Sequence, residues 1–482
     1  WPKTENEVKD ITWQQFRWLM EQMRLARHKE YGPSSEKSKY DHEDLFNEPE
    51  ATADVRVPEP ELTVEHFLPE EEQSCPECSS ALHIMGKDIR RELKLIPAKA
   101  VIVEHVSYVY ACRDCEKNAC GVPIVKAPVD KPVIKGSFAS PEAVAHIMTQ
   151  KFASGMPLYR QEQDLQRSGI LLSRQTMSNW LLACSESWLE PVYHAMREML
   201  RRQSVLHADE SVLQVLHEPG KTAQSHSYMW LYRTGGDAAM PIVLYDYQPD
   251  RKAKRPLEFL QGFSGYLHTD GYAGYHSLPD NITVVGCWAH ARRKFDEALK
   301  AAPEKDRTGS GAHRAKRYCD KLFDIERQLA ECTAAERVKK RQELAKPVLD
   351  EFLSYLQSAK AAPKSGFGRA VHYTVEQWKY LKRYLLDGRL EISNNRAERS
   401  IKPFVIGRKN FLFANTPRGA KASAIIYSFV ETAKENGLNP YSYLAYIFKN
   451  APDWDIHHDS EALNSLLPSS APSYCKMNAV AD

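Results

Sequence analysis

Long apolar runs are missing from this 482-residue chain. No stretch approaches the ~18 consecutive apolar residues that a membrane-spanning helix needs. Cysteine is scarce, at ten residues, which excludes a disulfide scaffold. A strong charge of either sign is missing too: 65 basic and 63 acidic residues leave +2. Taken alone, that balance argues against a protein that coats nucleic acid. The opening WPKTENEVKD has no basic start followed by an apolar core, so no secretory signal is expected. It also has no initiator Met, so the natural start is expected upstream. No internal repeat is found. What remains, 43% apolar and 27% charged residues with a mean hydropathy of -0.53, is a soluble globular composition. The length allows about three domains.

The near-zero charge hides unlike parts. Residues 36–73 hold thirteen acidic and three basic residues, with Pro49, Pro58, Pro60 and Pro69. A net −10 with little to bury predicts a flexible acidic linker. It follows an N-terminal helical segment, 1–35, in which Phe16, Leu19, Met20 and Met23 share one helix face. That face suits docking or packing on its own chain equally. Residues 396–421 carry seven basic residues and one acidic residue.

Five of the ten cysteines lie between Cys75 and Cys120. Cys75/Cys78 and Cys112/Cys115 are two C-x2-C pairs, each pointing two thiolates from a tight turn. Four thiolates make the closed tetrahedral site that structural zinc prefers, with no position left for catalysis. This predicts a small zinc ribbon over 74–127, with a strand along the alternating stretch Val101 to Tyr110. Cys120 is left over as a free thiol or a substitute ligand.

Residues 139–203 read as helical, opening on Ser140-Pro141-Glu142. A helix over about 158–167, a turn at Gly169 and a second helix capped by Ser173 outline a helix-turn-helix. Arg174, Gln175 and Ser178 would then face a DNA groove; an ordinary helical hairpin fits the same residues. From 204 the pattern changes to strands: SVLHADESVLQVL, SYMWLYRT, PIVLYDYQ, GYLHTDGYAGY and ITVVGCWAH, with a helix at RKAKRPLEFLQGF. That mixture predicts a mixed α/β sheet. Residues 299–390 read as helical and charged. A last helical block begins at Ser393, and 456–482 is Ser/Pro-rich and expected to be disordered.

Two aspartates share a context, LHADE and LHTDG. Asp209 is expected just past a strand over Ser204 to His207, and Asp270 just past one over Gly265 to His268. Carboxylates at the ends of two strands of one sheet suit a hard divalent ion. Glu398, on a helix capped by Ser393 or Asn394, is the candidate third ligand, with Lys402 one turn on. Two such ions hold the attacking and leaving oxygens of a phosphoryl displacement. Around Glu398 lie Arg396, Arg399, Lys402, Arg408, Lys409, Arg418 and Lys421, with Phe404, Phe411 and Phe413 interleaved. A nuclease-type site on a DNA backbone has this composition; a solvated helix face is the plain alternative. Glu210, on the opposite face of the strand from Asp209, is left out of the set.

The segments LHADES, LHTDGYAGYHSL, GCWAHARRKF and ISNNRAERSIKPFVIGRKNFLFANTPRGAKASAIIYSFVETAKENGLNPYSYLAYIF resemble transposases of the insertion sequence 66 family. The CPEC…CRDC module is similar to that family's zinc-binding domain. The resemblance covers roughly 24–455 and is most specific at its C-terminal end. The family's apolar repeat near the N-terminus is not matched. The resemblance implies an α/β plus α architecture: a ribonuclease-H-like mixed-sheet catalytic domain, 204–298 and 391–455, split by a helical insertion, 299–390. It implies catalytic Asp209, Asp270 and Glu398 holding Mg²⁺ (or Mn²⁺), and structural Zn²⁺ on Cys75, Cys78, Cys112 and Cys115. Cys287 and His290 form a C-x2-H pair that positions the site or supplies half of a metal site. The implied partners are the element's terminal inverted repeats, target DNA, a second copy or higher assembly, and accessory proteins of the same element, without a membrane. The implied location is the cytoplasm of a bacterium, at the nucleoid. Two alternatives stay open: a ribonuclease-H-like nuclease without strand transfer, and a zinc-containing DNA-binding regulator derived from a transposase. A zinc enzyme acting on a small molecule is excluded by the closed four-thiolate site. Trp378 suits a core position or stacking on a displaced base.

Overall fold

The computed structural model describes Ser80, Ala81, Ile84, 101–114 and 124–477. The chain divides into two compact units, Tyr31–His105 and the remainder. Within the first, the described residues are all exposed. The helical segment expected over 1–35, the acidic linker, and Cys75, Cys78, Cys115 and Cys120 lie outside the described residues. In the second unit, β1 (Val109–Ala111) pairs antiparallel with β2 (Ile124–Lys126). The strand expected over Val101 to Tyr110 is therefore corrected to Val109–Ala111. The alternation is present upstream, but the ladder with β2 covers only three residues.

Helices α1 (Pro141–Phe152), α2 (Leu158–Arg167), α3 (Arg174–Cys184) and α4 (Glu190–Arg201) follow. Ser140 caps α1 by accepting the Ala143 N–H at 3.1 Å, and Ser173 caps α3 by accepting the Thr176 N–H at 3.1 Å. Each cap satisfies a donor that the first helical turn leaves open.

The central sheet has five strands: β3 (Val205–Gln214), β4 (His226–Thr234), β5 (Val243–Gln248), β6 (Gly265–His268) and β7 (Ile282–Val285). Their order is β5-β4-β3-β6-β7. The β3–β4 and β4–β5 pairs are antiparallel, and β3–β6 and β6–β7 are parallel. The short helix α5 (Lys254–Phe259) links β5 to β6.

The edge of β5 is closed by a helix. Beyond α11 (Asn395–Phe411), α12 (Pro417–Glu435) runs beside that strand. The Tyr245 N–H donates to Ser428 Oγ at 2.8 Å, and the Val243 N–H to Thr432 Oγ1 at 3.0 Å. Hydroxyls thus occupy donors that would otherwise invite another strand. Arg233 of β4, buried to 2%, makes a bidentate pair with Glu435 at 3.0 and 2.9 Å and ties the sheet to α12.

A second core lies under α6 (Trp288–Ala301), α7 (Gly311–Gln328), α8 (Ala334–Lys340), α9 (Lys346–Ser358) and α10 (Gly366–Leu381). Trp288, Phe295, Leu322 and Phe352 centre it, and Trp378 packs against them. Within it, fully buried Arg341 meets Glu326 and donates to the carbonyls of Tyr384, Asp387 and Leu390. Every donor of that guanidinium is used, which is the condition for burying it.

The expected disorder from 456 is corrected for the described residues. Beyond α13 (Pro440–Asn450), α14 (Ser460–Ser465) leads Leu466 and Cys475 into the core, both fully buried. Tyr443 donates its hydroxyl to Leu466 O at 2.8 Å, and the Asn439 N–H bonds Cys475 O at 2.7 Å. Ile456, Leu466, Leu467 and Cys475 supply that burial, while Tyr474 and Met477 stay exposed.

Candidate active site

Strands β3 and β6 run parallel with His207 opposite His268. The repeated Leu-His-x-Asp contexts are therefore side by side in register. The two imidazoles stack with centroids 5.0 Å apart and planes within 1°. Asp209 follows His207 by two residues, on the same alternating face of β3, and Asp270 follows His268 by two residues. Asp209 lies inside β3 rather than past its end, because β4 keeps pairing with that strand as far as Gln214. The β6 strand does stop at His268. Gly271 then turns the chain with φ +95°, a conformation that favours glycine.

Asp209 accepts the Glu210 N–H at 2.8 Å. Burial raises its carboxyl well above the usual range, and the charges of Glu210, Asp270 and Glu398 push it the same way. Clustered carboxylates out of water do this to one another. Asp270 accepts the Tyr272 N–H at 2.9 Å, and its carbonyl accepts the Tyr373 hydroxyl of α10 at 3.0 Å. The helical stretch between the strands and α11 thus buttresses the Asp270 turn.

Glu398 sits in the first turn of α11. Asn394, fully buried, is the residue before that helix, and its side chain does not cap it. It reaches the sheet instead: Nδ2 donates to Ala208 O at 2.8 Å, and Oδ1 lies 3.0 Å from His207 Nδ1. Its own N–H donates to Cys287 Sγ at 3.1 Å, and its carbonyl accepts the Glu398 N–H at 3.2 Å. One asparagine therefore joins β3, the start of α6 and the helix carrying Glu398.

Cys287, His290 and Glu398 present possible metal-ligand atoms within 4.8 Å of one another; Asp209 and Asp270 are not in that group. Burial pushes the Cys287 thiol up to about 12, so it stays protonated while accepting the Asn394 N–H. Burial also holds His290 below its usual range, against the pull of Glu398. His290 Nδ1 is 3.7 Å and Arg293 Nη2 3.3 Å from the Glu398 carboxylate. Glu398 Oε1, although buried, has no hydrogen-bond donor.

The candidate DNA-contacting residues are divided by the structure. Arg399, Lys402 and Lys409 are exposed on α11, without ion pairs among the described residues. Arg396 pairs with Glu391 at 2.5 Å, Arg418 with Glu186 at 2.5 Å, and Lys421 with Glu190. Arg408 turns inward to Ser211 Oγ and Val212 O. On α3, exposed Arg174 lies over the Tyr159 ring at 5.6 Å, while Gln175 donates to Asn179 at 3.1 Å and Ser178 is partly buried.

Several residues at the site were not singled out from sequence. Arg293 was findable, being three residues after His290 on the same helix. Glu210, left out of the set from sequence, is held by Arg251 Nε at 2.8 Å and the Tyr275 hydroxyl at 2.6 Å, and its charge acts on Asp209. Arg251 and Tyr373 carry no local sequence signal.

The chain is similar to known proteins along most of its length. Residues 136–422 match the transposase IS66 family, 428–469 its C-terminal element, and 72–116 the zinc-finger binding domain of transposase IS66. The last match spans all four paired cysteines, which supports structural zinc. Uncharacterized protein y4jD of Sinorhizobium fredii is 31% identical over 79% of this chain and 75% of its own length. Uncharacterized protein y4hP of the same organism is 30% identical over 86% of this chain and 76% of its own length. No described helix is long and apolar enough to cross a membrane. With more than half of its length matched, the chain belongs to the IS66 transposase family.

Proposed function

We propose that the chain is a DNA transposase whose five-stranded mixed sheet is a ribonuclease-H-like catalytic core. Asp209, Asp270 and Glu398 are its catalytic carboxylates. The observation that carries this reading is the register His207↔His268, two residues before Asp209 and Asp270 in sequence, together with the effect of the Asp270 and Glu398 charges on Asp209. Two further features support it: burial and the neighbouring acids raise the Asp209 carboxyl well above its usual range, and Glu398 Oε1 lacks a donor. A cation would relieve both. The donor set is oxygen-rich, which suits Mg²⁺ or Mn²⁺.

Asp209 and Asp270 would hold the ion from the sheet, with Glu398 from α11. Bound there, it would supply Lewis-acid stabilisation of the reacting phosphodiester oxygens. Arg293 fixes Glu398 from α6 at 3.3 Å, and Asn394 fixes the start of α11. In the first step a water oxygen forms a bond to phosphorus at the element end, and the 3′ oxygen leaves with a proton. In the second, that 3′-hydroxyl attacks a phosphodiester of target DNA and displaces its 3′ oxygen. Exposed Arg399, Lys402 and Lys409 would line the backbone path. The ribbon carrying Cys75, Cys78, Cys112 and Cys115 and the α2–α3 pair are the modules assigned to DNA recognition. Assembly on paired ends in the bacterial cytoplasm belongs to the same reading.

A strand-transfer assay tests it. Duplexes carrying a pre-cut element end should become covalently joined to plasmid DNA in Mg²⁺ through their 3′-hydroxyls. Cleavage of uncut ends without joining would mark a nuclease. Binding with neither reaction would mark a regulator.

A further inference from the structure

The end of α11 is strained. Leu412 has φ 64° and ψ −52°, and it is the one non-glycine residue with positive φ among the described residues. The Phe413 N–H bonds Phe411 O at 2.7 Å across it. This is a γ-turn of the rare positive-φ kind, unfavourable for a bulky side chain. It persists because both flanks are pinned. Leu412 N–H still donates to Arg408 O at 2.7 Å, and Ala414 N–H donates to Gln214 O at 2.9 Å. The strained turn holds two apolar side chains outward: Leu412 is 65% and Phe413 42% exposed.

Beside it opens a cavity of about 580 Å³, walled by Lys151, Gln175, Ser178, Phe411, Phe413 and Thr416. The Lys151 ammonium lies 5.3 Å from the centroid of the Phe411 ring and 5.4 Å from that of Phe152. No carboxylate pairs with it among the described residues. Burial pushes it down to about 8. An amine in that setting gains from an anion entering the cavity. Thr416 also caps α12 there, accepting the Gly419 N–H at 3.2 Å, so the positive end of a 19-residue helix faces the same space.

Resting on the reading of the chain as acting on DNA, we infer that Leu412 and Phe413 form a wedge that enters the base stack of the bound element end, and that the cavity receives the unstacked nucleotide. Inserted apolar side chains unstack base steps in this way. Phe411 and Phe413 offer the base a ring to stack on, and Lys151 and the α12 N-terminus face its phosphate. Gln214 lies five residue steps along β3 from Asp209, so the wedge lies roughly 17 Å along the strand from the catalytic carboxylates. At ~3.4 Å per nucleotide, that places the displaced base about five positions from the cleaved phosphodiester.

The test scans 2-aminopurine through duplexes spanning the ends of the encoding element, bound to the full-length chain. Fluorescence should rise several-fold at one position about five nucleotides from the cut. Leu412→Gly should lose that rise while melting no lower than wild type, since glycine adopts the positive φ without strain. Phe413→Ala should lose it too, with binding weakened roughly tenfold. Lys151→Met should weaken binding and leave the rise in place. Duplexes that are bound but never brighten, or a rise that survives in both wedge variants, would overturn the wedge alone. Failure to bind the duplexes at all would instead remove the DNA reading on which it rests.

Discussion

His207 and His268 stack in register across two parallel strands, and the hydrogen bonds at their edges fix opposite tautomers. Asn394 Nδ2 donates to Ala208 O, so its Oδ1 faces His207, whose Nδ1 must carry the proton. His268 Nε2 faces the Glu391 carbonyl at 2.7 Å and carries the proton there. Two neutral rings, each anchored to the segment just before or at the start of α11, therefore set the spacing of the strands that bear Asp209 and Asp270. The site is thus supported by fully buried groups outside the carboxylate set.

Asn394 is the centre of that support. Asn394→Ala strands the His207 N–H and the Ala208 carbonyl in a fully buried place. At about 1–3 kcal/mol for each unsatisfied group, the loss should be about 3 kcal/mol in urea denaturation. Asn394→Asp keeps an acceptor for His207 and loses the donor to Ala208, so its loss should be intermediate. DNA cleavage should fall in the same order while duplex binding holds. An Asn394→Ala chain as stable as wild type would contradict this role.

Asp246 of β5 gives a pH signature. Burial raises its carboxyl to about 6, from an ordinary value of 3.8. Above pH 6 the folded chain holds a desolvated charge that the unfolded chain holds in water, so the group opposes folding. As pH falls from 6 toward 4 the folded state takes up the proton first, and the opposition fades. Asp246→Asn should therefore stabilise the chain at neutral pH by about 3 kcal/mol. The advantage should shrink to near zero by pH 4. Thermal melts across that range check it, and an equal gain at both ends would contradict it.

Arg418 and Lys421 are exposed, but each is matched by an acid, Glu186 or Glu190. Surface pairs contribute only about 0–1 kcal/mol, so a phosphate can displace the carboxylate. Glu186→Gln should raise affinity for duplex DNA a few-fold. Arg418→Ala should reduce the salt dependence of binding by about one unit of slope. Arg408→Ala should leave that slope alone and lower stability, because Arg408 bonds β3. Identical slopes for wild type and Arg418→Ala would remove Arg418 from the DNA path.

The strands over 204–285 were legible because short runs rich in β-branched and aromatic residues, bounded by turn residues, mark them. The repeated Leu-His-x-Asp context drew attention to Asp209 and Asp270. Nothing in the chain said that these segments pair in parallel with His207 opposite His268, since parallel partners carry no turn to set register. Asn394 read as a helix cap, and only the fold shows its side chain spent on β3. The ion pairs of Arg418 and Lys421 reach more than two hundred residues back along the chain, beyond any local charge count. The Ser/Pro-rich end hid Leu466 and Cys475, whose burial depends on a groove made by α13. Leu412 carried no signal at all, because its strain arises from two distant anchors.

The central claim is that Asp209 is a metal-holding catalytic carboxylate. Cleavage of element-end duplexes in Mg²⁺ by wild type and by Asp209→Asn measures it most directly, with duplex binding followed in the same samples. The account predicts that Asp209→Asn binds the duplex nearly as wild type does and cuts nothing. Cleavage retained by Asp209→Asn in Mg²⁺ would contradict it.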